Sequence, residues 1–260
     1  MRRSGLARTI AFSALIGISA LILSVSSVYT RQNSQPNIRD VVRTVESRYH
    51  DSHTLKAVFF ERYNEGRLTT RIESGTAYFS RPGRMRWEYE SPEEKLFLTD
   101  GKTTWFYIPA DHTVSRISMK ESNDWRTPLS LLTGKANLTK YCKRIDFGDP
   151  PHDNPANVTL RCVPAGAAEV ASKARRDDLG ASDQALSPDT GGQIQIVLLE
   201  VAPRTGWLAS VIIRQSGGVQ VEYRFGRWEA NIEVPETMFH FVAPKGVAIV
   251  NGDAPGSPLH

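Results

Sequence analysis

Between Gly75 and Pro109, apolar and polar residues alternate in short runs separated by turn signals. That pattern leaves an antiparallel β meander as the fold for the stretch. Arg81-Pro82-Gly83 is a turn, because Pro presets φ and Gly accepts positive φ. From Arg84 to Glu90 the alternation is unbroken, with Met85, Trp87 and Tyr89 on one face and Arg84, Arg86 and Glu88 on the other, facing water. Ser91-Pro92 ends that strand. Lys95 to Thr99 and Thr103 to Ile108 then flank Asp100-Gly101, a strong two-residue hairpin signal.

Similar strands read on both sides. Leu55 to Tyr63 and Leu68 to Ser80 precede the meander, and Gly75 inside the second marks a bulge or bend. Thr113 to Ser118 follows it, then Leu138 to Phe147, Asn157 to Val163, Gln193 to Val201, Gly206 to Gln215 and Gly218 to Gly226. Helical spacing occurs at Ile38 to Ser52, where Val41, Val42, Val45 and Tyr49 form a stripe. A shorter apolar helix lies in Trp125 to Leu132, carrying Leu129, Leu131 and Leu132. Asn231 to Thr237 reads as one further helical turn, ahead of a Pro/Gly-rich tail. The result is a mainly β (α+β) chain of about 11 strands. Each strand carries one apolar face, and few helices are present to cover them, which favours a barrel over a sandwich.

The first 30 residues read as an export signal. Arg2, Arg3 and Arg8 precede a run from Thr9 to Thr30 that carries no charge, and Ser24 and Ser26 supply small residues for cleavage. An uncleaved membrane anchor is the alternative. Residues 31–260 then form a single domain, expected as a monomer. The three leader arginines account for most of the net charge of +4, so a nucleic-acid-binding face has no support. Pro164 to Gly192 is rich in Ala, Gly, Ser, Asp and Arg. It is expected to be a mobile insertion, because it has too little apolar surface to offset the entropy of ordering. Cys142 and Cys162 flank the tip of a hairpin in an exported chain, so a disulfide is the expectation, with two buried thiols the alternative.

No catalytic or cofactor signature emerges. The histidines at 50, 53, 112, 152, 240 and 260 fall in no ligand or nucleophile spacing. There is no Cys-x-x-Cys metal pair and no glycine-rich phosphate loop. No enzyme, cofactor or metal site is therefore expected.

Two segments, SG-x-A-x-x-x-RPG-x-x-RW-x-Y-x-x-P from Ser74 and DGK-x-x-W-x-Y-x-P from Asp100, resemble the LolA-type outer-membrane lipoprotein carriers in spacing and order. The likeness runs from about Val41 to Asp253. It implies an incomplete antiparallel β-barrel with a short-helix lid over an apolar cavity. The cavity is expected from Met85, Trp87, Tyr89, Phe59, Leu96, Leu98, Trp105, Tyr107, Val221, Tyr223 and Phe225. The lid is expected from Val42, Val45, Tyr49, Leu129 and Leu132, with Arg81 reaching lid carbonyls to hold it shut. The resemblance also implies a periplasmic carrier of lipoprotein acyl chains. An inner-membrane ATP-driven lipoprotein exporter would be its donor, and an outer-membrane lipoprotein acceptor its recipient. A lipid or lipoprotein sensor of the same fold is the alternative. Such sensors carry a second C-terminal domain, whereas only a short tail follows Val242. A membrane-fixed acceptor would need a lipidated cysteine near the leader, and the first cysteine here is Cys142.

Overall fold

The computed structural model describes residues 36–118, 129, 131–134, 137–165, 167 and 193–251. The leader, the first residues of the expected second helix and nearly all of the 164–192 insertion lie outside them.

Among the described residues twelve strands form one sheet. They are β1 (Thr54–Glu65), β2 (Leu68–Ser80), β3 (Arg84–Ser91), β4 (Lys95–Thr99), β5 (Thr103–Ile108), β6 (Thr113–Ser118), β7 (Cys142–Phe147), β8 (Val158–Pro164), β9 (Ile194–Val201), β10 (Leu208–Gln215), β11 (Val219–Ala230) and β12 (Ala248–Asn251). Their order is β12-β6-β5-β4-β3-β2-β1-β11-β10-β9-β8-β7, so the sheet stays open, with β12 and β7 at its edges. All pairings are antiparallel except β12 on β6. The strand beyond the expected eleven is β12, hidden in the Pro/Gly-rich tail. It adds in parallel along β6 through a long return that no hairpin signal announces.

Ring contacts report the curl of the sheet. Strands β3 and β11 are three spacings apart, about 14 Å on a flat sheet, yet Trp87 and Tyr223 have centroids 5.4 Å apart. The intervening Ala77 and Ala57, both fully buried, leave room for the rings to lean together. Phe59 packs edge-on against Trp87 at 4.8 Å and against Tyr89 at 5.0 Å. The concave face continues through Val221, Phe225, Val211, Ile213, Val197, Leu199 and Leu160.

Helix α1 (Ile38–Asp51) starts at Asn37, whose side chain accepts from the Arg39 N–H at 2.9 Å, and ends at Ser52, whose hydroxyl donates to the Arg48 carbonyl at 2.7 Å. Its buried stripe is Val41, Val42, Val45 and Tyr49. The helix lies against the turn between β9 and β10. A Cβ at Gly206 would come within 2.5 Å of the Thr44 carbonyl oxygen, and φ there is +76°, so only Gly fits. Tyr49 packs on Trp207 and Trp228, and its hydroxyl accepts from the Leu208 N–H at 2.9 Å.

Three sequence expectations shift at their ends. Residues 138–141 form a short helix, α2 (Leu138–Tyr141), capped by Asn137, so β7 begins only at Cys142. The helical turn expected at 231–237 is a 3-10 turn at Glu236–Phe239, because β11 runs on to Ala230. Of the second helix, Leu129 is helical and Leu131–Thr133 is a 3-10 turn. The structure bridges Cys142 to Cys162, with Cα atoms 5.5 Å apart, which ties β7 to β8.

Candidate functional site

The candidate site is the concave face together with the segments laid over it. Met85, Trp87 and Tyr89 share that face with Phe59, Val221, Tyr223 and Phe225, and all are buried. Val42, Val45, Tyr49, Leu129 and Leu132 join the same core from the covering segments.

Arg81 stands where sheet and cover meet. Its Nη2 donates to the Tyr49 carbonyl at the end of α1 at 2.5 Å. Gly134, just past the 3-10 turn, lies under the guanidinium. A Cβ there would meet Arg81 Nε and Nη2 at 2.6 Å, on a backbone with φ +67°. One side chain therefore bears on both covering segments, using a planar fork of donors that suits carbonyl acceptors.

Four expected cavity residues belong elsewhere, and this corrects the sequence reading. In the β3–β4 register Trp87 pairs with Phe97 and Tyr89 with Lys95, which turns Leu96 and Leu98 to the opposite face. Trp105 and Tyr107 follow them there, since they pair with Leu98 and Leu96. The concave face receives Phe97 and Phe106 instead. Leu98 and Val114 are fully buried on the convex side, and the C-terminal segment packs on their cross-strand partners Trp105 and Tyr107. Phe241 stacks on Trp105 at 6.1 Å and contacts Tyr107 at 5.8 Å. Both faces of the β4–β5 hairpin are thus apolar, and alternation alone does not say which is concave.

The same cover corrects the expectation that Arg84, Arg86 and Glu88 simply face water. Arg86 donates to the Met238 carbonyl at 3.0 Å and pairs with Glu88 at 2.6 Å, while Arg84 lies over the Phe239 ring at 5.5 Å. Their stems pack and their heads bind, so they fasten the C-terminal segment.

Sequence reasoning missed a polar cluster on the concave face. Glu61 continues the inward series Leu55, Ala57, Phe59 and is 1% exposed. It sits opposite Glu73 on one side and Tyr223 on the other. The Tyr89 hydroxyl donates to Glu61 Oε2 at 2.8 Å, and Tyr223 stands directly opposite Glu61 on β11. Lys95 bonds to Glu73, and Arg71 approaches the same carboxylate at 3.1 Å. The available signal was an acid at an inward phase of the alternation.

Burial, more than any neighbour, pushes the Glu61 carboxyl up to about 7. Tyr89 works against the shift, Glu73 adds to it, and Arg71 and Tyr223 oppose it. The folded state therefore holds this proton to higher pH than the unfolded chain does. Stability should fall as pH rises from the ordinary glutamate range through about 7. Thermal midpoints measured from pH 5 to pH 8 (about the window) should decline, and Glu61→Gln should remove that part of the decline. A Gln variant with the same slope as wild type would show that other groups set it.

Among the described residues no cluster of His, Cys, Asp and Glu could hold a metal ion, and no helix is long and apolar enough to cross a membrane. What the site offers is an apolar surface under a fastened cover, which defines a binding protein.

Comparisons with known proteins agree in kind. The family described as outer membrane lipoprotein carrier protein LolA matches residues 50–147. An outer-membrane lipoprotein carrier protein of Methylibium petroleiphilum is 30% identical over 178 residues, covering 68% of this chain and 72% of that protein. One from Hahella chejuensis is 25% identical over 237 residues, covering 90% of this chain and 95% of that one. A third, from Nitrosospira multiformis, is 28% identical over 110 residues, 41% of this chain and about half (52%) of that protein's length. The chain belongs to the LolA family of outer-membrane lipoprotein carriers, whose members are binding proteins and not enzymes.

Proposed function

We propose that this protein is a periplasmic carrier. It shelters the acyl chains of lipoproteins on the concave face of its sheet and ferries them from the inner to the outer membrane. The observation that carries the reading is the joint position of Arg81, bonded to the end of α1 and seated on Gly134 above a continuous aromatic face. Each acyl CH₂ left in water costs about 0.8 kcal/mol, so a soluble carrier needs such a surface and a cover that can lift from it. The rings of the concave face touch one another when the cover is down, and cargo must separate them. The donor would be an inner-membrane ATP-driven exporter, and the recipient an outer-membrane acceptor.

Closing returns the Tyr49 carbonyl to Arg81, and this bond favours the empty carrier over the loaded one. Arg81→Leu removes it. Loading should persist while release to the acceptor slows by about tenfold, the equivalent of one charged hydrogen bond. Gly134→Ala should act the same way by displacing the guanidinium. The assay follows a labelled lipoprotein from membrane vesicles to the protein, then from the protein to acceptor vesicles. Carriage requires the label to appear in the soluble fraction bound to the protein, and a wild type that leaves it in the membrane overturns the proposal.

A further inference from the structure

An apolar carrier surface has no need of a buried acid, yet Glu61 and Glu73 lie side by side on this one, 1% and 4% exposed. A purely structural network would be expected to satisfy all its members, because an unmade hydrogen bond is costly in a low-dielectric interior. This network is left incomplete in a particular way. Glu61 Oε1 is buried with no hydrogen-bond partner among the described residues, and Arg71 Nε and Nη2 are buried donors in the same condition. Arg71 Nε lies 3.1 Å from Glu73 Oε2 without the alignment of a hydrogen bond, while its guanidinium rests 5.3 Å over the Tyr63 ring. One unpartnered acceptor, Glu61 Oε1, and one unpartnered donor, Arg71 Nη2, with Arg71 Nε held only by its ion pair to Glu73, thus share the end of the surface where the Tyr89 hydroxyl meets Glu61.

A ligand group that complements this set must donate once and accept once, and it must adjoin an alkyl chain. An ester carries acceptors only. A free fatty acid, ionised at neutral pH, would bring a second negative charge to Glu61. A secondary amide has one N–H and one C=O. We propose that Glu61, with Arg71 beside it, forms a polar station at the end of the acyl surface that binds the amide of an N-acyl chain and selects amide-linked over ester-linked acyl groups. The inference rests on the acyl-binding reading above and adds the linkage chemistry.

The groups facing Glu61 from the neighbouring strands are Glu73 and Arg71 on β2, Tyr89 on β3 and Tyr223 on β11, with Lys95 on β4 holding Glu73. With Glu73 charged and both cations present, an ionised Glu61 brings the cluster to neutrality and accepts strongly from an N–H. A protonated Glu61 accepts poorly. Its carboxyl titrates near neutrality, pushed up to about 7 by burial, so the preference for amides should strengthen with rising pH.

Two isosteric probes separate the possibilities. N-methyldodecanamide and methyl dodecanoate differ only in N–H against ester oxygen, and each can be titrated against an acyl-binding fluorescent dye on the full chain. The amide-to-ester affinity ratio of the wild type should exceed that of Glu61→Leu by about tenfold at pH 8. The wild-type ratio should shrink toward the Leu value at pH 6. Glu61→Gln, which keeps the shape and an acceptor oxygen, should show an intermediate ratio that does not change with pH. The proposal is overturned if the ratio is the same in wild type and both variants, or if the wild-type ratio does not rise with pH. If neither probe displaces the dye from wild type, the acyl-binding reading falls with it. If both bind with equal ratios in every form, only the amide station falls.

Discussion

Met85→Glu should leave the protein unable to hold acylated cargo and should destabilise it by several kcal/mol, the cost of an unpaired charge in an apolar site. Met85 is 4% exposed on the concave face, opposite Phe79 on β2 and Thr99 on β4. Neither of those two cross-strand partners carries a charge. The control is Val58→Glu, which puts the same charge one face away on β1, where the side chain is 39% exposed. That change should alter stability by no more than about 0.5 kcal/mol. Thermal unfolding and lipoprotein capture from vesicles read both effects. Normal capture by Met85→Glu, or an equal loss in Val58→Glu, would mean that the concave face is not where cargo lies.

Replacing Cys142 and Cys162 together by Ser should cost about 3 kcal/mol, the chain-entropy value for a closed loop of this size. The bridge spans 20 positions and joins the edge strand β7 to β8. Among the described residues β7 is the last strand on its side of the sheet, so the bond ties this edge to its one neighbouring strand. Chemical denaturation of wild type and the double Ser variant, each without reductant, measures the difference. A shift below about 1 kcal/mol would place the stabilisation of this edge in its packing.

The fold was largely legible because turn chemistry and alternation agree. Asp100-Gly101, Arg81-Pro82-Gly83 and the glycines near residue 217 each end a strand where the structure ends one. The strand β12 was not legible, since a four-residue parallel edge strand leaves no turn signal and its burial pattern is exposed throughout. The inward face of β3 could be read because its other face is charged. The faces of β4 and β5 could not, because Leu98 and Trp105 are as apolar as Phe97 and Phe106, and the covering Phe239 and Phe241 lie far along the chain. Arg81 was singled out by its motif, but its seat on Gly134 depends on a loop that only the fold brings near. Glu61 was visible as an acid at an inward position of the alternation. Its company of Glu73, Arg71, Lys95, Tyr89 and Tyr223 required the register of five strands.

The central claim, that acyl chains lie on the concave face, is tested most directly by photocrosslinking. A photoreactive amino acid would replace Trp87 on the concave face in one variant and Trp105 on the convex face in another. Each variant would be incubated with vesicles bearing a labelled lipoprotein, irradiated and resolved by mass. An acyl-chain adduct is expected at position 87 and none at position 105, where Phe241 covers the ring. An adduct at 105 with none at 87 would contradict that claim.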